Sequence, residues 1–155
     1  MTPAIKFLAD KGIKFEIFTY KYKPKGGAKQ TSEELGVPLH SVIKTLVFCS
    51  PQTEPFLVLM HGDLEVNEKG LARQIGVKSV FPCEQRIAQN WTGYLFGGTS
   101  PFGTKRMMKV YIEKSIFDLS EIFINGGRQG LILKLDVETL KILNFEIVEV
   151  SKMEK

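Results

Sequence analysis

Lys44 and two glycine-rich segments are the features of this sequence best suited to chemistry. Lys44 lies in Val42-Ile43-Lys44-Thr45-Leu46-Val47-Phe48, among strand-forming apolar residues. Such a lysine points either to solvent or into a pocket. An inward ammonium needs an anionic or carbonyl partner, because an unpaired buried charge is costly. A phosphate or a carboxylic ester in a cleft would serve. The glycine segments are Gly97-Gly98-Thr99-Ser100 and Gly126-Gly127-Arg128-Gln129-Gly130. Glycine permits positive φ and lets a backbone approach a ligand closely. Free N–H groups in such a loop can hold an oxygen that gains negative charge. The Gly97–Ser100 segment could supply those donors, with the Ser100 hydroxyl as an extra polar group. Two tight turns would leave the same signature.

Other chemistries lack their residues. His40 and His61 are the two histidines, and neither falls in an HExxH or Cys/His ligand spacing, so no metal site is expected. His40, after Val37-Pro38-Leu39, reads as a surface residue of a turn. There is no GxSxG elbow, no P-loop and no GxGxxG. Cys49 and Cys83 read as separate, buried, reduced thiols that pack as small hydrophobes. No cofactor is implied.

Charge points the same way as the lysine. The net charge is +4, and the first thirty residues hold seven lysines against Asp10 and Glu16. Lys21, Lys23, Lys25 and Lys29 crowd a flexible Gly/Pro-containing loop that could meet phosphates. The ordinary alternative is a solvated loop. Apolar residues make up 43% of 155, enough to build a packed core, and residues 1–155 read as one domain. No apolar run is long enough to span a bilayer, and the N-terminus has no apolar signal core, so a cytoplasmic protein is expected.

The elements that would carry these residues can be placed in outline. Thr2-Pro3 reads as a cap and first turn of a helix that ends at Gly12. Ile13, Phe15 and Ile17 suggest a strand with one buried face. A short helix is expected over Thr31 to Leu35. Val42–Cys49 and Phe56–His61 read as a hairpin. Asn67 should cap a helix that ends at Gly76, with a short strand over Val77–Phe81 and a helical segment from Pro82 to about Trp91. Strands are expected at Met107–Glu113, Glu121–Asn125 and Leu131–Leu135, then a helix capped by Asp136 and a strand at Phe145–Val150. Hairpin-length connections imply an α+β fold: a mixed, largely antiparallel, barrel-like sheet with flanking helices.

Four ordered segments resemble a known family. They are Thr2-Pro3-Ala4-Ile5-Lys6 through Phe18-Thr19-Tyr20, then Lys44-Thr45-Leu46, then Thr92-Gly93-Tyr94-Leu95-Phe96-Gly97-Gly98-Thr99-Ser100-Pro101-Phe102-Gly103, and Asn125-Gly126-Gly127-Arg128-Gln129-Gly130-Leu131. Together they resemble the YbaK/ProX family of aminoacyl-tRNA deacylases, in particular the YbaK-type Cys-tRNA(Pro) deacylases. The resemblance implies the fold of the prolyl-tRNA synthetase insertion domain. It also implies hydrolysis of the ester between an amino acid and the 3′ end of tRNA, with aminoacyl-tRNA and prolyl-tRNA synthetase as partners. Lys44, Gly97 and Gly98 match the catalytic positions. Tyr20, Thr45, Ser100, Asn125 and Gly126 match substrate-binding ones, and neither a metal nor a protein nucleophile is implied. Asn125 stands where the family pattern has serine, and Ile132 where it has aspartate. The resemblance therefore also admits removal of alanine, serine or threonine, or a binding module of the same fold.

Overall fold

The computed structural model describes residues 1–154. Thr2 accepts from the Ile5 amide and opens α1 (Pro3–Asp10), whose Ala4, Ile5 and Leu8 are buried. The first strand, β1 (Glu16–Thr19), is shorter than the alternation suggests and exposed along its whole length. It is the edge of the sheet, so Ile17 remains 49% exposed, while Ile13 and Phe15 pack on the core just before it. Helix α2 (Gly27–Leu35) begins four residues ahead of the expected Thr31 and carries Lys29.

The centre is the hairpin of β2 (Val42–Ser50) and β3 (Thr53–His61). β3 is buried on both faces, which explains its continuous apolar run. Leu57 and Leu59 enter one core with Ile43, Val47 and Ile112, while Phe56, Val58 and Met60 enter a second with Phe48 and Leu71. Next come β4 (Leu64–Val66), α3 (Glu68–Ile75) and a two-residue β5 (Phe81–Pro82) in place of the longer strand expected there. Asn67 caps α3 by accepting from the Gly70 amide.

After α4 (Gln85–Thr92) come β6 (Val110–Glu113), β7 (Glu121–Arg128), β8 (Leu131–Asp136), β9 (Phe145–Val148) and β10 (Ser151–Met153). Asp136 does cap the segment after β8, but as a 3-10 helix, Val137–Ile142. The main sheet has the order β1-β8-β7-β2-β3-β6-β9, with β5 also on β2, and β4 pairs with β10 in a small second sheet. Hairpins are antiparallel, whereas β2–β7, β3–β6 and β6–β9 are parallel. The expected mixed α+β architecture is therefore present.

The pairing of β2 with β7 is brief, and this positions the site. It covers Val42↔Phe123 and Ile43↔Ile124 and then stops. Further along the same edge β5 takes over, with the Cys83 amide donating to Val47 O at 3.0 Å. Between these two contacts the sheet opens.

Candidate functional site

A cavity of about 710 Å³ occupies the opening. That volume is in the range of roughly 300–1,000 Å³ typical of small-ligand sites. Of the residues singled out from the sequence, Tyr20, Lys25, Lys44, Thr45, Gly97 and Asn125 line it. These residues are up to 105 positions apart in the chain, and the parallel β2–β7 contact is what gathers them.

Lys44 turns inward. Its Nζ donates to Leu64 O at 2.6 Å, so a carbonyl of β4 is the partner that a half-buried ammonium requires. Burial pulls its pKa below the ordinary lysine value, and the nearby Glu154, Glu65 and Asp63 carboxylates oppose that shift. The ammonium keeps two further protons for a ligand.

The next residue differs. Val42 O accepts from the Gly62 amide on the β3 side, and Val47 O accepts on the opposite side. Strand alternation then turns the Thr45 backbone N–H and C=O to the open edge. The Thr45 hydroxyl is also buried there with no hydrogen bond, the one such side-chain atom among the described residues.

The two glycine segments close the far wall as one unit. Tyr94, buried and with its phenol pKa pushed up by that burial, donates to Phe102 O and anchors the first loop. Asn125 Nδ2 donates to Gly97 O at 3.0 Å, while Asn125 Oδ1 accepts from the Gly127 and Arg128 amides at 2.7 and 3.2 Å. Gln129 Nε2 donates to Phe96 O at 2.8 Å. At Gly98 an added Cβ would fall 2.8 Å from Gln129 N, so only glycine lets the loops meet.

Three expected site residues do not join the cavity. Gly98 is buried between the loops and its amide donates to Leu95 O at 2.9 Å, so it is not a free donor. Ser100 is fully buried and its Oγ accepts from the Phe102 amide at 3.2 Å, which spends the hydroxyl on the turn. Gly126 faces the core, where a Cβ would meet Leu131 and Leu133, and its carbonyl accepts from the Thr2 hydroxyl. By contrast, no hydrogen bond engages the Gly97 amide among the described residues, and Gly97 sits at φ +86° on the cavity wall.

The basic segment is not loose. Gln30 clamps it, accepting from the Lys23 amide at 3.1 Å and donating to Lys21 O at 2.9 Å. Lys21, Lys23, Lys25 and Lys29 are all exposed, and among these four only Lys25 reaches the cavity rim.

The cysteines also depart from expectation. Cys49 and Cys83 are joined by a disulfide, with Cα atoms 5.1 Å apart, because β5 pairs antiparallel with β2 beside them. Spacing in the sequence could not reveal a two-residue strand. The histidines likewise converge: the His40 and His61 rings stack 3.6 Å apart, and His40 Nδ1 lies 2.9 Å from Asp63. Their potential ligand atoms and one from Asp63 lie within 4.8 Å of one another. Both His61 ring nitrogens already have partners, His40 O at 2.7 Å and Ser115 Oγ at 2.8 Å, so the cluster serves as a packing clamp.

Comparison with known proteins now defines the family. The family profile of the aminoacyl-tRNA editing domain matches residues 23–142. The chain belongs to the aminoacyl-tRNA editing domain family. It is 30% identical over 128 residues to the Enterococcus faecalis protein provisionally named Cys-tRNA(Pro)/Cys-tRNA(Cys) deacylase EbsC, covering 82% of this chain and 78% of that one. It is 39% identical over 108 residues to proline–tRNA ligase of Thermodesulfovibrio yellowstonii, covering 66% of this chain but 19% of the ligase. A crystal structure provisionally described as a trans-editing enzyme for prolyl-tRNA synthetase superposes with a TM-score of 0.85. It is 16% identical, and the match covers 98% of this chain and 99% of that one, which shows a shared fold.

Sequence reasoning missed several residues of this editing-domain cavity. Tyr22 lies over Gly97, with its hydroxyl filling the space that a Cβ would need. Its spacing of two from Tyr20 in an extended segment was the one signal for it. Thr31, which bonds Tyr20 Oη at 2.7 Å, had none. Glu65 and Lys152 also line the cavity, brought there by the β4–β10 pairing. A pairing between segments so distant leaves no local trace. Among the described residues, no helix is long and apolar enough to cross a membrane.

Proposed function

We propose that this chain hydrolyses the ester joining a mischarged amino acid to the 3′-terminal adenosine of tRNA, with Cys-tRNA(Pro) as its principal substrate. The supporting observation is the cavity at the opening of the sheet, where Lys44, Thr45 and the Gly97 amide converge in a member of the editing family. The relationship to EbsC and to proline–tRNA ligases favours tRNA(Pro) as the carrier. In this reading residues 1–155 act as one free-standing domain in the cytoplasm, with prolyl-tRNA synthetase as a working partner.

The chemistry follows from charge. Attack by water on the ester carbonyl puts negative charge on the carbonyl oxygen. The Gly97 N–H is a preorganised donor for that oxygen, and such donors act most strongly where water is displaced. The Lys44 ammonium holds a phosphate or ribose oxygen of the terminal nucleotide. Tyr20 and Asn125 fix the walls, and exposed Lys21, Lys23, Lys25 and Lys29 attract the tRNA backbone. Breaking the acyl–oxygen bond releases free amino acid and the 3′-hydroxyl of tRNA.

A second reading has its own support. Ile132 lines the cavity where the resembled pattern has a carboxylate, which fits a module that grips the acceptor end without hydrolysis. A panel of charged tRNAs, including Cys-tRNA(Pro), Ala-tRNA(Pro) and Ser-tRNA(Pro), scored for free amino acid separates the two. Release above the spontaneous rate is expected. Tight binding without release would favour the module.

A further inference from the structure

The Thr45 hydroxyl is the feature that the fold itself does not explain. Burying a hydroxyl without a partner costs free energy, and here the cost serves no contact within the described chain. Thr45 also lies in the stretch of β2 that has no neighbouring strand, between the Ile43↔Ile124 pairing and the bond from the Cys83 amide to Val47 O. Its side chain, its N–H and its C=O are thus all unspent at one point of the cavity wall. Valine at this position would suit the strand equally well and would leave nothing unpaired. A hydroxyl retained at such a cost is a reader of something polar.

We propose that Thr45 determines specificity by hydrogen bonding to a hydroxyl or thiol on the β-carbon of the substrate's aminoacyl group. This rests on the hydrolase reading above and narrows it to seryl- and cysteinyl-type esters over apolar esters of the same size. A hydroxyl both donates and accepts, so it pairs with either group. An apolar side chain in the same place leaves Thr45 unpaired and is rejected. That is the strong kind of discrimination, because a purely apolar pocket separates such isosteres weakly.

The test compares seryl-, cysteinyl- and 2-aminobutyryl-tRNA(Pro), the last being the apolar isostere. It uses wild type, Thr45→Val and Thr45→Ser. The preference of kcat/KM for the polar substrates should fall roughly tenfold in Thr45→Val, the effect of one hydrogen bond to a buried group. Thr45→Ser should restore it. The same ratio is measured in binding of non-hydrolysable amides of 3′-amino-3′-deoxyadenosine carrying the three side chains. If wild type hydrolyses none of the esters, the hydrolase reading fails, and the amide ratio still decides the role of Thr45. An amide ratio unchanged by Thr45→Val would overturn the proposal. Thr45→Val should also raise the melting temperature, since it removes an unpaired buried hydroxyl. A lowered melting temperature would show that the hydroxyl already has a partner and would overturn the proposal as well.

Discussion

The two glycine segments look alike in sequence, yet the structure uses them in opposite ways. Gly97 leaves its amide and one face to the cavity. Gly126, Gly127 and Gly130 face the protein itself: Gly126 toward Leu131 and Leu133, Gly127 toward Tyr94 and Thr2, and Gly130 toward Tyr20 O. The second segment is scaffolding for the first. Its Asn125 holds Gly97 O, and its Gly130 carbonyl receives the Tyr20 amide at 2.9 Å. A glycine therefore marks where something approaches the backbone. It does not say whether the visitor is a ligand or the chain's own side chain.

Substitutions can break or sharpen this contrast. The largest loss of stability is expected for Gly127→Ala. Gly127 sits at φ +103°, and a Cβ would lie 2.9 Å from Tyr94 Cε1 and 3.1 Å from Thr2 Cβ, both on buried residues. Backbone strain and overpacking together should cost about 2–4 kcal/mol in denaturant unfolding. A loss below about 1 kcal/mol would remove the second segment from its scaffolding role.

Asn125→Ala should come next, at about 1–3 kcal/mol, because it leaves the Gly127 and Arg128 amides and Gly97 O to find new partners. Asn125 joins the two segments, so deacylation should fall along with stability. Gly97→Ala should separate the two quantities. The strained φ costs about 1–2 kcal/mol, but the nearest obstacle is the hydroxyl end of the partly exposed Tyr22, which can swing aside. Deacylation should nevertheless drop by more than about tenfold, the order seen when a backbone-type donor is removed. Equal loss of stability in Gly97→Ala and Gly127→Ala would erase the contrast.

How much of this was legible depended on the range of the contacts. Thr2 and Asn67 announced their caps locally, and Val42–Phe48 announced an inward lysine. The α+β class followed from the hairpin lengths. The division of labour between glycine segments was not legible, because it depends on Asn125 reaching Gly97 across 28 positions. The Cys49–Cys83 pair was hidden behind the two-residue β5, and the tyrosine over Gly97 behind a segment that Gln30 holds in place. Ser100 was misjudged because a serine in a glycine loop is as often a turn's own acceptor as a ligand's.

The smallest effects lie outside both segments. Lys21, Lys23 and Lys29 changed to glutamine should leave stability within about 0.5 kcal/mol. They should lower the slope of log affinity for tRNA against log salt by ~0.7 for each phosphate that a lysine no longer neutralises. The ranking of amino acids released should not change. A changed ranking would draw these lysines into the cavity's work. His61 sets the acid limit for all these assays. Burial first, and then the neighbouring His40, hold its pKa below the ordinary histidine value of 6.5, against the opposing bond to His40 O. Its folded-state pKa is depressed, so its contribution to stability is complete above about 6.5 and is lost as pH falls through the folded value. The melting temperature should decline on acidification below pH ~6.5. An NMR titration placing the His61 midpoint above that value would contradict this.

The central claim is that the opening between β2 and β7 is where the ester is cleaved, and Lys44 tests it most directly. Lys44→Met removes the charge and keeps the apolar stem, so no unpaired ammonium is left behind. Amino-acid release from Cys-tRNA(Pro) should fall to the spontaneous rate while the melting temperature stays within a few degrees of wild type. Near-wild-type release from a folded Lys44→Met protein would place the chemistry elsewhere and contradict the account.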